Sequence, residues 1–147
     1  MATQKVSRSI TVNAPAERIF AILTNPRRHA EIDGSAMVSG CLHGPETLTA
    51  GSEFRMDMSM LGVPYRMTNR VVEYEKNRRI AWRHIGPHRW RWQLEPVDDH
   101  TTRVTETFDY SPAGPFAILY QLAGYPARNA RAIEQTLLRL KALAEAE

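Results

Sequence analysis

Seven stretches of the chain alternate polar and apolar residues with the period of a β-strand, and others space apolar residues as on one face of a helix. SRSITVN is the first strand. In NAPAERIFAILTN, Pro15 suits a first helical turn, Glu17 sits near its positive end, and Ile19, Phe20, Ile22 and Leu23 supply an apolar face. Asn25 and Pro26 read as the cap and first residue of a second short helix that ends at Asp33-Gly34. AMVSGCLHG is a weak strand. GSEFRMDMSM alternates strictly, with Phe54, Met56, Met58 and Met60 on one side and Arg55, Asp57 and Ser59 on the other. YRMTNRVVEYE, RIAWRH, WRWQLEPV and TRVTETFDY continue as strands, separated by turn-forming segments. FAILYQLAG then predicts a short helix broken at Gly124. From Pro126 a long helix carries Ala130, Ile133, Leu137, Leu140 and Ala144 as one stripe. Consecutive strands with segregated helices define an α+β fold.

Residues opposed across an antiparallel pair share a face, so turn lengths decide which faces agree. A four-residue LGVP loop sets Met60 against Tyr65, Met58 against Met67, Met56 against Asn69 and Phe54 against Val71. A two-residue Lys76-Asn77 turn sets Val71 against Trp82 and Asn69 against His84. A five-residue IGPHR loop sets His84 against Trp90 and Trp82 against Trp92. A turn at Asp99 sets Leu94 against Val104, Trp92 against Glu106 and Trp90 against Phe108. One continuous face results, rich in Met and Trp and interrupted by Asn69, His84 and Glu106. The interleaved arginines of HRWRWQ point the other way, so they are strand alternation and no nucleic-acid partner is expected. The same register lines up Arg55, Arg70, Arg83 and Arg91 across the outer face. That row is either a solvated surface or a docking site for an acidic partner.

Composition adds bounds. The chain has 147 residues with 43% hydrophobic and 24% charged residues and a net charge of +3. This is enough for one domain with a core or a small cavity. Cys41 is the single cysteine, so no internal disulfide and no multi-cysteine metal site can form. MATQKVSRS has no apolar h-region and no run approaches about 20 apolar residues, so a cytoplasmic protein without membrane insertion is expected. No metal or other cofactor is implied. His29, His43, His88 and His100 lack ligand-like spacing and are expected to be solvent-exposed.

SITVNAPAERIFAILTNP, LTAGSEF, RVVEYEKNRRIAWR, WQLEPVDDHTTRVTETFDY and NARAIEQTLLRLKALAE together resemble the START-related polyketide cyclase/dehydrase (SRPBCC) superfamily over nearly the whole chain. The resemblance implies a helix-grip fold, in which a curved antiparallel sheet wraps the long C-terminal helix and leaves a tunnel between them. It carries over no catalytic signature, because that superfamily includes cyclases, lipid carriers, quinone-binding proteins and chaperone activators.

Candidate site residues therefore follow from the register. Met56, Met58, Met67, Asn69, Trp82, Trp90, Trp92, Phe108 and Tyr110 on the sheet, with Asn129, Ile133 and Leu137 on the helix, are the candidate ligand-binding set. Met adapts its shape, and Trp adds area and one N–H donor. His84 and Glu106 are the candidate catalytic groups: a histidine titrates near neutrality, and a carboxyl among aromatics is pushed up unless a cation such as Arg128 or Arg131 meets it. PFAILYQLAGYP, LHGPETL and IGPHR are expected to border the entrance. Three functions follow: binding of a hydrophobic or aromatic, lipid- or polyketide-like small molecule; a cyclase/dehydrase-type enzyme using proton transfer; and a protein-interaction module using the basic convex face. A monomer or a homodimer fits each.

Overall fold

The computed structural model describes residues 4–35, 37–83 and 87–147. His84 lies outside them, as do Ile85 and Gly86 of the IGPHR loop. β1 (Lys5–Val12) leads into α1 (Ala16–Leu23). Pro15 caps this helix with extended backbone, and its apolar face, including Ile19, Phe20, Ile22 and Leu23, is buried. The Asn25 side chain accepts the Arg27 backbone N–H at 3.1 Å and caps a 3-10 turn over Pro26–Arg28, which runs on into α2 (His29–Ile32). Then come β2 (Val38–His43), β3 (Glu53–Met60), β4 (Val63–Glu75), β5 (Arg79–Arg83), β6 (Arg89–Asp98) and β7 (Thr101–Asp109). A 3-10 turn at Ser111–Phe116 and α3 (Ala117–Leu122) precede α4 (Tyr125–Ala146). Gly124, at φ 76°, supplies the left-handed residue that redirects the chain between the last two helices.

Among the described residues the seven strands form one antiparallel sheet in the order β1-β7-β6-β5-β4-β3-β2. The architecture is α+β, with the sheet curved around the long C-terminal helix. Helix α4 buries Ala130, Ile133, Thr136, Leu137, Leu140 and Ala144, the expected stripe plus one threonine. It is tied to β1 by Arg8 to Glu134 at 3.0 Å and by Lys141, which donates to the Thr11 carbonyl at 3.0 Å. The link from α2 to β2 meets α4 at Gly34, where a Cβ would lie 2.6 Å from the Ala132 carbonyl oxygen. The close approach lets the Gly34 N–H donate to Thr136 Oγ1 at 2.8 Å.

The register differs from expectation in three turns, each time without exchanging the faces of the Met- and Trp-bearing segments. β3 and β4 are joined by two residues, Leu61 (φ 51°) and Gly62 (φ 81°), rather than four. Both central residues are left-handed, as in the hairpin turn that best follows strand twist. The pairs therefore slip by two: Met58 opposes Tyr65, Met56 opposes Met67 and Phe54 opposes Asn69. The β4–β5 turn holds three residues, with Asn77 at φ 61°, and closes between Glu75 and Arg79. A bulge at Val72 then compensates, so Val71 still opposes Trp82. Between β5 and β6, Trp82 opposes Trp90 and Ile80 opposes Trp92, another slip of two. The β6–β7 pairs Trp92–Glu106, Trp90–Phe108 and Leu94–Val104 stand as expected.

The same slips break the arginine row at both ends and leave its middle pair, Arg70–Arg83, as expected. Arg55 opposes Thr68, and Arg70 opposes Glu53 on one side and Arg83 on the other. Arg91 opposes Ala81 and Thr107. Its guanidinium meets Glu73 at 2.7 Å and Asp109 at 3.1 Å, so it is neutralised within the sheet surface rather than aligned with other arginines.

Candidate functional site: a cavity between sheet and helix

The concave sheet face and the helices enclose a cavity of about 460 Å³. Strand alternation supplies most of the wall. β3 gives Phe54, Met56, Met58 and Met60; β4 gives Tyr65, Met67 and Asn69; Trp82, Trp90, Trp92, Glu106 and Phe108 come from β5, β6 and β7. The opposite side is built by Arg128, Asn129, Ala132, Ile133 and Thr136 of α4. Ten of the twelve residues expected to bind ligand thus stand on one wall or the other. Tyr110 and Leu137 do not. Tyr110 follows the end of β7 and is buried behind Phe108 and Tyr120, with ring centroids 5.6 and 5.7 Å away. Leu137 lies on the buried stripe of α4, packed into the core at 2% exposure.

Two histidines expected in solvent belong to the wall. His29 is buried on α2. It donates Nε2–H to the Leu23 carbonyl at 2.8 Å and stacks on Trp82, with centroids 4.8 Å apart and planes 20° apart. Phe54 meets both rings edge-on. Burial pulls His29 down to about 4, so the ring is neutral near pH 7. His88 is half-buried, with Nδ1 2.9 Å from Tyr120 Oη and its ring 5.2 Å from Phe108. Burial, with the charge of Arg83, lowers it too. His43 and His100 are exposed.

The borders of the cavity also differ in part. Tyr120 and Tyr125 on the PFAILYQLAGYP segment and His88 of the IGPHR loop reach the wall. The α3 segment exposes Phe116, Ile118, Leu119 and Leu122 beside them. Among the described side chains of LHGPETL, His43 to Leu48, none lines the cavity. Arg27 holds this segment against the 3-10 turn by donating to the Gly44 and Pro45 carbonyls at 2.9 Å, and Leu48 is fully buried. Its place is taken by Asp33, Ser35, Met37 and Val38. Asp33 is held by four donors: Ser35 N–H and Oγ–H on one oxygen, Met37 and Val38 N–H on the other.

Glu106 is the chemical exception in this wall. It is 6% exposed, and among the described residues no cation pairs with it; Arg128 instead lies over the Tyr125 ring at 5.4 Å. Burial first, and the charge of Asp33 second, push its carboxyl well above the ordinary range. Among the described residues, Glu106 Oε1 and Trp92 Nε1 are both buried with no hydrogen-bond partner, and the two residues are directly opposed on β7 and β6. A carboxyl in the acid form can donate a hydrogen bond or a proton, which an exposed glutamate near neutrality does not.

Curved sheet, gripped helix and intervening cavity define a helix-grip protein. The chain belongs to the family described as polyketide cyclase/dehydrase and lipid transport, which it matches over residues 3–145. It is 45% identical to the Mycobacterium tuberculosis protein Rv0088 over 139 residues, 92% of this chain. The chain spans 62% of that relative's length. Among solved structures it superposes on protein NE0264 from Nitrosomonas europaea with a TM-score of 0.70, at 19% identity over 97% of both chains. The Zhui aromatase/cyclase from Streptomyces sp. R1128 gives a TM-score of 0.63 at 17% identity over 92% of both chains. These structural likenesses are of fold. No described helix is long and apolar enough to cross a membrane.

Proposed function

We propose that this chain binds a hydrophobic or aromatic small molecule, lipid- or polyketide-like, between the sheet and α4. The observation that carries the reading is the cavity of about 460 Å³ walled by three tryptophans, Phe54, Phe108 and a run of methionines. That volume is in the range of small-molecule sites. The wall pairs rigid aromatic area with adaptable thioethers, a surface suited to flat or flexible apolar ligands. Native mass spectrometry of freshly purified protein is the direct test. The expected result is an adduct released on denaturation and lost in Met67→Trp, which fills the cavity from a half-buried wall position. Each protein showing only the mass of its own polypeptide, with no uptake of added naphthalene-sized probes by either, would end this reading.

A second reading, a cyclase- or dehydrase-type enzyme working by proton transfer, draws on Glu106, a buried carboxyl without a cation. Glu106→Gln separates the two: it spares binding in both cases and abolishes turnover only in an enzyme.

A further inference from the structure

We infer that Trp92 and Glu106 form a two-donor clamp that selects, among apolar ligands of this cavity, those presenting a neutral acceptor oxygen of the carbonyl type. The inference rests on the cavity reading above and adds the end group that the cavity takes. The two residues are directly opposed on β6 and β7, project to the same concave face and both line the cavity. Each holds a buried polar atom, Trp92 Nε1 and Glu106 Oε1, without a partner among the described residues. Buried polar groups are nearly always hydrogen-bonded in native proteins, so an unmatched pair on one wall is a standing demand for a complementary group.

The chemistry of that group follows by elimination. A hydrocarbon end leaves both atoms unpaired. An ammonium group could meet Glu106, but it offers nothing to the indole N–H, which only donates. A carboxylate could accept from Trp92, but it would be buried beside Asp33 and Glu106, and the arginine among the described wall residues, Arg128, is engaged over Tyr125. A neutral carbonyl oxygen has two lone pairs. It can accept from the indole N–H and from the Glu106 hydroxyl together.

The other titratable groups facing this space are consistent with a neutral guest. His29 is neutral, and its Nε2–H is already used on Leu23. His88 is engaged with Tyr120. The Asp33 oxygens are filled by their four donors. Among the described residues, Tyr65, Tyr120 and Tyr125 are the remaining titratable ones on the wall, and Tyr65 and Tyr120 are shifted upward by burial.

The test compares 2-acetylnaphthalene with 2-isopropenylnaphthalene, which have nearly the same shape and exchange C=O for C=CH₂. Calorimetric titration of the wild-type chain is expected to favour the ketone by about tenfold or more, the equivalent of one retained hydrogen bond. The preference should fall as pH rises and Glu106 ionises, while alkene binding stays level. Glu106→Gln, which keeps an N–H donor, should retain the preference and lose its pH dependence. Glu106→Leu and Trp92→Phe should each reduce it. The infrared carbonyl band of ¹³C-labelled ketone bound to the unaltered protein gives a readout that needs no variant, and it should move to lower wavenumber than in hexane. Equal affinities with an unshifted band overturn the clamp and leave the cavity reading intact. Failure of both naphthalenes to bind overturns the cavity reading and the clamp with it.

Discussion

His29 and Trp82 lie in parallel contact, 4.8 Å between ring centroids, with the histidine Nε2–H fixed on the Leu23 carbonyl at 2.8 Å. The imidazole is therefore a wall panel and a link from α2 to the end of α1. It is not a free acid or base. Its folded value of about 4 lies below its ordinary 6.5, so the unfolded chain binds the extra proton first as pH falls. Stability from this residue is full above about pH 6.5 and is lost as pH falls through about 4, a change on the order of 3 kcal/mol. Urea melts of wild type and His29→Phe at pH 7.5 and 4.5 check this. The wild type should lose more stability on acidification, and the variant should lack that part of the acid limb. Equal losses would remove His29 from the account.

Glu106 works in the opposite direction. Its carboxyl is raised by burial and by Asp33, so the folded chain binds the extra proton. Its contribution is complete below the ordinary glutamate value of about 4.3 and declines as pH rises through the folded value. Glu106→Gln should match the wild type near pH 4 and exceed it above neutrality. Thermal melts across that span should give curves that separate on the alkaline side. Parallel curves would mean that a cation reaches the wild-type carboxylate.

How much of this was legible in the sequence depends on what kind of error a turn can make. Side chains on a strand repeat every two residues, so a slip of two preserves the buried face. The β3–β4 and β5–β6 turns slipped by two, and the wall kept Met56, Met58, Met67, Trp82, Trp90 and Trp92. At β4–β5 an extra turn residue and the Val72 bulge cancelled at Val71. Between the two irregularities they did not cancel. There Tyr74 turns inward against Phe20, and Glu73 turns out toward Arg91. Individual pairings depend on the absolute register, so the arginine row lost its Arg55 and Arg91 ends and kept Arg70–Arg83, while the inner wall kept its composition. His29 was illegible for another reason. PRRHAEID is polar, and nothing local marks its histidine as buried; the burial comes from docking α2 against Phe54 and Trp82, far along the chain.

The β3–β4 turn places a leucine where its backbone is least at ease. Leu61 has φ 51°, is 99% exposed and precedes Gly62 at φ 81°. A branched side chain is strained in the left-handed region, whereas asparagine tolerates it and favours this turn. Leu61→Asn should raise stability by about 0.5–1 kcal/mol. Chemical denaturation gives the sign, and an unchanged Met58–Tyr65 register, followed by cross-strand nuclear Overhauser contacts, shows that the gain is local. A loss of stability would mean that Leu61 contributes contacts its exposure does not suggest.

Arg91 sets the last expectation, on the convex face opposite the cavity. Its guanidinium bridges Glu73 at 2.7 Å and Asp109 at 3.1 Å, both largely buried. Hydrogen bonds from Arg91 and Arg89 hold Glu73 below the ordinary range. Burial works against Asp109, but hydrogen bonds from Ser111 and Arg91 outweigh it and bring it down as well. Arg91→Met leaves two carboxylates near one another. Breaking a buried pair costs about 3–5 kcal/mol. Arg89 still reaches Glu73 at 3.1 Å and Lys5 lies 3.9 Å from Asp109, so a loss of about 2 kcal/mol is expected. Both acids are depressed, so the stability they contribute is present above their ordinary values and lost as pH falls through the folded ones. The deficit of the variant should therefore shrink on acidification, the reverse of the Glu106 pattern. Arg91 projects from β6 to the face opposite Trp90 and Trp92, so ligand affinity per folded molecule should be unchanged. Denaturation at pH 7 and 4, with titration of 2-acetylnaphthalene at neutral pH, tests both halves; a variant that stays folded but loses the ligand would show that this ion cluster shapes the cavity wall through the strand.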